Sequence, residues 1–346
     1  MNYKTVFIMG TGATRGALPH VIIDRKRLRP PLNGDFFKVA TTYVRAKKDL
    51  SESNRLGRLT KFFKVEMAMK RMPPMEDAFS LLYSVKDFPE IYKTGRGRKR
   101  TVGEHQEIED FLQLTFRILT ALDSNTGRSN GYDRLVSKLG PNDTILTLNY
   151  DTVLDSALVS NGWNPKDGYC IIGDHKKIMW SPKNSLSNPG LAGVQLLKLH
   201  GSINWFVRGS SKDLSAIFEK KPVKVSSPRR NDIRNHIRQI IPPIYGKFFH
   251  HNHWRHLWSN AYRSLCEADV LVVIGCSLID SDFHLRALLS RVTRYRKEQG
   301  KLFQQAFYVD PNLKIRRKWM DTMHGVARHK ISVNCFEKFL KEEWKS

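Results

Sequence analysis

Thr144-Ile145-Leu146-Thr147-Leu148-Asn149-Tyr150-Asp151 is a short apolar run that ends abruptly in an amide and a carboxylate. Further along, Val194-Gln195-Leu196-Leu197-Lys198-Leu199 behaves the same way and ends in His200-Gly201-Ser202. Short runs of this composition, bounded by polar punctuation, read as buried strands. Open α/β sheets build their sites from polar groups at the C-terminal ends of such strands.

The neighbouring segments repeat the arrangement. Upstream, Lys4–Met9 is a β-rich run that feeds Gly10-Thr11-Gly12-Ala13-Thr14-Arg15-Gly16. Downstream, Val270–Ile274 is almost wholly apolar and precedes Gly275-Cys276-Ser277 and then Asp280-Ser281-Asp282. Phe307–Val309 is a last short strand before Asp310-Pro311-Asn312. Apolar residues at helical spacing mark Glu104–Leu122, Tyr132–Leu139, Thr152–Asn161, His253–Glu267 and His284–Tyr295 as helices. Strands alternating with helices predict an α/β fold, a Rossmann-like doubly wound parallel sheet with right-handed crossovers. A single domain is expected over residues 1–346. Residues 38–130 read as a helical cap or insertion, with Leu56–Met72 and Met75–Val85 separated by Pro73-Pro74. Tyr169–Ile172 and Lys177–Trp180 are short strand candidates. Residues 207–250 read as an irregular basic insertion, with eight Lys/Arg between Lys220 and Lys247 against Asp232 alone.

The composition is that of an ordinary globular protein, with 40% hydrophobic and 26% charged residues. The charge is not ordinary: 58 Lys+Arg against 33 Asp+Glu give a formal +25. Such a balance points to a polyanionic partner, nucleic acid first, through phosphate neutralisation. A solvated basic surface or an acidic partner protein accounts for it equally well. Thr94–Arg100 and Lys220–Arg238 are the segments expected to meet nucleic acid or a partner that binds it. Cys170, Cys266, Cys276 and Cys335 lie far apart and form no Cys-x-x-Cys pair, so no metal site is expected. Cys266 and Cys276 read as buried thiols, in keeping with a reducing compartment. The first residues do not read as a signal peptide, and no run approaches the roughly 18 apolar residues of a membrane span. A cytoplasmic protein with no membrane partner is expected.

Each motif admits two readings. Gly10, Gly12, Ala13 and Thr14 suit either a pyrophosphate cradle or a plain tight turn. Asn149 can hold a ribose hydroxyl, a carboxamide or a water, while Asp151 or Thr152 can cap the next helix. His200 is either a structural histidine or a proton-transfer group, with Gly201 clearing space beside it. Gly275 and Ser277 suit close approach of a ligand to the backbone, or helix capping. Asp310 with Asn312 is placed for an adenosine ribose or for an Asp-Pro turn.

In this order the motifs resemble those of sirtuins. Gly10-Thr11-Gly12-Ala13 is similar to the sirtuin Gly-Ala-Gly turn, and Thr147–Asp151 to the Thr-Gln-Asn-Ile-Asp motif, with Leu148 in place of Gln. His200-Gly201 resembles the catalytic His-Gly, Gly275–Ser277 the Gly-Thr-Ser strand end, and Val309–Asn312 the late Val-Asn. The paired Cys-x-x-Cys zinc module of deacetylating sirtuins has no counterpart here. What remains resembles the sirtuin-like NADases of bacterial antiphage defence, which cut NAD⁺ without an acyl-lysine co-substrate. The resemblance implies an NAD⁺ glycohydrolase, with NAD⁺ as substrate and no metal. Asn149, Asp151 and His200 would be catalytic, and Gly10, Gly12, Ala13, Thr14, Gly275, Ser277 and Asp310 would bind the nucleotide. It also implies a homo-oligomer beside a separate partner, a HerA-type ATPase or a short Argonaute. The rival readings are a catalytically silent nucleic-acid-binding subunit and a nuclease on the same fold.

Overall fold

The computed structural model describes residues 3–18, 20–86, 106–124, 131–170, 189–208, 216–218, 236–240, 252–280, 282–332 and 335–344. The basic loop Thr94–Arg100, the strand candidate Lys177–Trp180, part of Tyr169–Ile172 and most of Lys220–Arg238 lie outside the described residues.

Strand β1 (Thr5–Met9) leads through Gly10 into α1 (Thr11–Ala17). A hairpin, β2 (Val21–Ile23) and β3 (Lys26–Leu28), comes next. Four helices follow: α2 (Phe36–Lys47), α3 (Leu50–Lys61), α4 (Met75–Lys86) and α5 (Gln106–Ser124). Short α6 (Gly131–Val136) precedes β4 (Thr144–Thr147) and α7 (Val153–Ser160). The one-turn α8 (Pro165–Gly168) and β5 (Gln195–Lys198) come before β6 (Gly201–Arg208). Strands β7 (Ala216–Phe218) and β8 (His236–Ile240) pair antiparallel with β6. The chain closes with α9 (Asn252–Glu267), β9 (Val270–Ile274), α10 (Phe283–Glu298), β10 (Gln305–Val309), α11 (Leu313–Thr322) and β11 (His329–Ser332).

Six strands form one parallel sheet in the order β11-β10-β9-β1-β4-β5. Ranked along the chain, this is the doubly wound dinucleotide-binding order, and its direction of winding reverses between β1 and β9. A crevice opens at the C-terminal end of any such reversal, because the connections leave the two strands toward opposite faces. The central strands are buried throughout because helices cover both faces. Val6, Phe7, Ile8 and Met9 of β1 have no solvent exposure, and all five residues of β9 are buried. Asp143, in the turn before β4, accepts from the Thr5 and Gly140 amides at 3.1 and 2.8 Å and so ties that turn to the start of β1.

The helices after the hairpin pack as a cap with its own aromatic core, in which Phe79 meets Phe111 at 4.6 Å between ring centroids. Helices α3 and α5 are also pinned by charge. Arg58 donates to both carboxylate oxygens of the buried Asp110, at 2.6 and 2.8 Å. The structure adds β6 and α11, which the sequence reading did not mark, and departs from it further in its short strands. The segment read as irregular contains β7 and β8, which build a small antiparallel sheet on β6. Strand β11, His-Lys-Ile-Ser, carries too little apolar pattern to announce itself. The β2–β3 hairpin was missed because its turn, Asp24-Arg25, lacks the Asn-Gly or Asp-Gly signature.

Both turn residues adopt left-handed backbone, with φ of 46° and 67°. Arginine is strained there. Arg25→Gly is expected to raise stability by about 0.5–1 kcal/mol, read as a higher urea midpoint with an unchanged slope.

Candidate active site at the winding reversal

The two turns that flank the reversal touch through their backbones. The Gly12 amide donates to the Gly275 carbonyl at 2.9 Å, and the Gly10 amide extends the ladder to Ile274 at 3.1 Å. A Cβ on Gly10 would lie 2.6 Å from the Gly275 carbonyl oxygen, and one on Gly12 would lie 2.7 Å from the Gly275 Cα. Gly275 itself has φ of +55°, and a side chain there would collide with the Ala13 amide. The glycines are therefore required by the meeting of β1–α1 with β9–α10. Gly12 spends its amide on that contact and does not line the cleft.

From this floor rises a buried polar network. Thr14 Oγ1 donates to Asp151 Oδ2 at 3.0 Å and lies 2.9 Å from the Tyr132 hydroxyl. Asn149 Nδ2 donates to both the Gly10 carbonyl and Thr14 Oγ1 at 3.0 Å. A hydroxyl has one proton and two lone pairs, so these three contacts exhaust Thr14. Thr14 is buried and holds Asn149 and Asp151; its hydroxyl is not left for a pyrophosphate. Both amide protons of Asn149 are likewise committed, which fixes the flip of the group. Its Oδ1 is buried and accepts no hydrogen bond from the described residues. Such an orphan is costly unless a ligand or water supplies a donor.

Asp151 Oδ1 accepts from the Val153 amide at 3.2 Å and so caps α7. Burial raises its pKa, and the nearby Lys198 ammonium opposes that rise. Lys198 itself is buried. Its Nζ donates to the Asp151 carbonyl at 2.5 Å and to Asp155 Oδ2 at 2.9 Å. Tyr169 hydrogen-bonds the other Asp155 oxygen. The lone charge in Val194–Leu199 thus anchors the Asn149–Asp151 strand end from behind.

His200 lies in the turn from β5 to β6. Gly201, at φ +84°, turns the chain there into the second sheet. His200 is buried, and its Nε2 lies 2.9 Å from Asp282 Oδ2. Asp282 has no solvent exposure and caps α10 through Leu285 N at 3.3 Å. The sequence reading missed Asp282; the signal for it was an Asp three residues before the apolar face of a helix. Tyr150 packs near His200 with ring centroids 6.2 Å apart.

These groups line one cleft at the C-terminal edge of the parallel sheet, where open α/β sheets place their ligands. Gly10, Thr14, Asn149, Tyr150, Asp151, His200, Gly275 and Ser277 contribute to its floor and walls. The cap supplies the roof, with Leu32, Phe36, Met75, Glu76 and Leu119. The Glu76 amide is held by Asn33 Oδ1 at 2.9 Å. Leu278, also in the lining, has φ of +47°, an outlier for a large side chain of the kind that clusters at functional sites. Cys276 is buried against the cleft, and burial pushes its thiol up to about 12. Asp310 is not part of the lining; its Oδ1 accepts from Asn312 N at 2.7 Å and closes the turn after β10. Among the described residues no group of three or more His, Cys, Asp or Glu could hold a metal ion. No described helix is long and apolar enough to cross a membrane.

A family model described as a SIR2-like domain matches residues 143–327, more than half of the chain. The chain belongs to the SIR2-like family. The match spans β4 to the end of α11, and so includes Asn149, His200 and Asp282 of this SIR2-like cleft. Among solved structures, the chain is similar to a Sir2 homologue in complex with NAD, at 10% identity, 99% coverage of this chain, 88% of that chain and a TM-score of 0.44. It is also similar to a mutant Sir2 homologue in complex with ADP-ribose, at 11% identity, 99% and 90% coverage and a TM-score of 0.43. No curated protein matches it.

Two measurements probe the supports of this SIR2-like site. Lys198→Met leaves Asp155 charged and buried, and is expected to cost about 3–5 kcal/mol in urea denaturation. A cost below about 1 kcal/mol would show that Asp155 is compensated from elsewhere. Asp123 Oδ1 accepts from Ser156 Oγ at 2.9 Å, beside the cleft network. Burial, reinforced by Asp155 and Asp151, pushes its pKa up to about 7. The folded state therefore holds a proton that the unfolded state has lost above about pH 4. Stability from this group is present below that point and drains away as pH rises toward about 7. Asp123→Asn is expected to gain on wild type across that window, in paired melts at several pH values.

Proposed function

We propose that this SIR2-like chain is an NAD⁺ glycohydrolase that cleaves the nicotinamide–ribose bond. The observation that carries the reading is the fixed amide of Asn149, whose buried Oδ1 waits for a donor inside the cleft that His200 also lines. A ribose hydroxyl or an attacking water is a donor of the right kind. Relatives crystallised with NAD and with ADP-ribose make the nucleotide the first candidate to test.

In the proposed reaction the C1′–N bond breaks and its electron pair stays on the nicotinamide nitrogen, which becomes neutral. The sugar develops oxocarbenium character. Water attacks C1′ and gives up one proton, so NAD⁺ and water yield nicotinamide, ADP-ribose and a proton. Asn149 Oδ1 would orient the water or the ribose hydroxyl. Asp282, whose carboxylate lies 2.9 Å from His200 Nε2, would orient the imidazole that takes up a proton. Asp151, close to the cleft, would favour the cationic sugar in its ionised form, which Lys198 supports and burial opposes. Gly10, Gly275 and Ser277 form the wall along which the rest of the dinucleotide would lie, and Asp310 would be reached by the adenosine end.

An always-active NAD⁺ hydrolase depletes the cell that makes it. We therefore propose that activity is gated by assembly, as a homo-oligomer with a partner such as a HerA-type ATPase or a short Argonaute, in an antiphage role. The formal +25 charge supports a nucleic-acid component in that assembly.

Asn149→Ala and His200→Ala are each expected to lower NAD⁺ turnover about 10²–10⁴-fold with an unchanged circular dichroism spectrum. Asp282→Asn should shift the pH profile of turnover as well as lower it. Full turnover in a folded Asn149→Ala or His200→Ala variant would end this assignment.

A further inference from the structure

A second concavity lies on the other side of the segment that roofs the cleft. It is lined by Arg15, His20, Arg27, Arg29, Asp35 and Lys38, with Leu28, Val39 and Thr42. Its charge is lopsided. Arg15 is paired with Asp35, Nη1 to Oδ2 at 2.7 Å. Arg27, Arg29 and Lys38 have exposed side chains and no ion-pair partner among the described residues. Three cations held in one groove without counter-charge repel one another, and an anion relieves that repulsion. The cationic face does not stop at the groove. Lys38, Thr42 and Arg45 follow one another at helical spacing along α2, and Arg45 is exposed. A line of charge longer than one phosphate fits an extended polyanion. Guanidinium forks and an ammonium, with the His20 imidazole beside them, are groups that contact a phosphodiester backbone.

We propose that this groove binds the phosphate backbone of a nucleic acid, and that Arg15 relays its occupation to the cleft. The relay is short. Arg15 donates from Nε and Nη2 to the Pro30 carbonyl at 2.8 and 2.5 Å, and from Nη2 to Asp35 Oδ1 at 3.0 Å. Asp35 Oδ1 in turn accepts from the Leu32 amide at 2.7 Å. Pro30, Pro31, Leu32 and Asn33 are roof residues of the cleft. A phosphate entering the groove meets Asp35, the one carboxylate in its lining, and competes with it for Arg15. Either response, Asp35 turning away or Arg15 changing partner, alters the two contacts that hold Pro30 and Leu32 in the roof. The significance of the relay rests on the NAD⁺ reading of the cleft; binding in the groove does not.

The test uses the full chain and fluorescein-labelled oligonucleotides of about 20 residues, as single strands and duplexes of DNA and RNA, titrated by anisotropy without NAD⁺. The triple variant Arg27→Gln, Arg29→Gln, Lys38→Gln is expected to bind about tenfold or more weakly at low salt. It should also lower the slope of log K against log salt by about 2–3, the sum of three lost phosphate contacts. A control triple, Arg291→Gln, Lys297→Gln, Lys301→Gln, removes the same charge from exposed positions on and after α10 and should bind within about threefold of wild type. Equal weakening by both triples would reduce the effect to net charge and overturn the site, as would wild-type binding by the first. Amide exchange over residues 30–36 reads the relay. It should change when oligonucleotide binds wild type and stay unchanged in the first triple. Tight groove binding with no change over residues 30–36 would overturn the relay. A failed NAD⁺ assay leaves both results standing and bears only on the catalytic assignment.

Discussion

The fold turns on a backbone contact that tolerates no side chain. Where β1–α1 meets β9–α10, Gly12 donates to Gly275 and Gly10 nests against Cys276. This contact joins the two halves of a doubly wound sheet at the point where their connections diverge. It sets the distance between the Asn149 strand end on one side and the Ser277 turn on the other. An added methyl at any of the three glycines meets backbone rather than a flexible side chain, so repacking cannot absorb it.

Above that floor the polar groups are arranged as a satisfied network with one opening. Thr14 spends its single proton and both lone pairs on Asp151, Asn149 and Tyr132. Lys198 holds the Asp151 carbonyl from behind and is itself neutralised by Asp155. Partly satisfied buried networks are expensive. Here a deficit is left at Asn149 Oδ1, on a residue that lines the cleft. The Asn149 amide is thus oriented before any ligand arrives, which is the preorganisation that makes a polar group effective in a dry site.

The parallel sheet was legible because strands buried on both faces must be apolar over most of their length, and Val270–Ile274 and the Val6–Met9 part of Lys4–Met9 are. Asn149 and His200 were legible because each interrupts such a run at its C-terminal end. The partners were not. Asp282 and Asp280 are chemically alike in sequence, and only the capping of α10 turns Asp282 toward His200 while Asp280 stays exposed with Arg286 and Lys318. Thr14 read as a phosphate contact because its bond to Tyr132 crosses a sequence separation of 118 residues that no local pattern encodes. The β2–β3 hairpin escaped because its turn breaks the usual residue preference.

The cleft has a floor and a roof from different parts of the chain, built under different rules. The floor rests on glycine backbones and a network in which each donor is assigned. The roof is mostly apolar, with Leu32, Phe36, Met75 and Leu119 in its lining. Substitutions in the roof change volume and little else, and cores accept such swaps at modest cost. Selection can therefore reshape which molecules gain admission while the groups that would act on them stay untouched. Divergence within this architecture should accumulate in residues 30–122 and spare the strand ends.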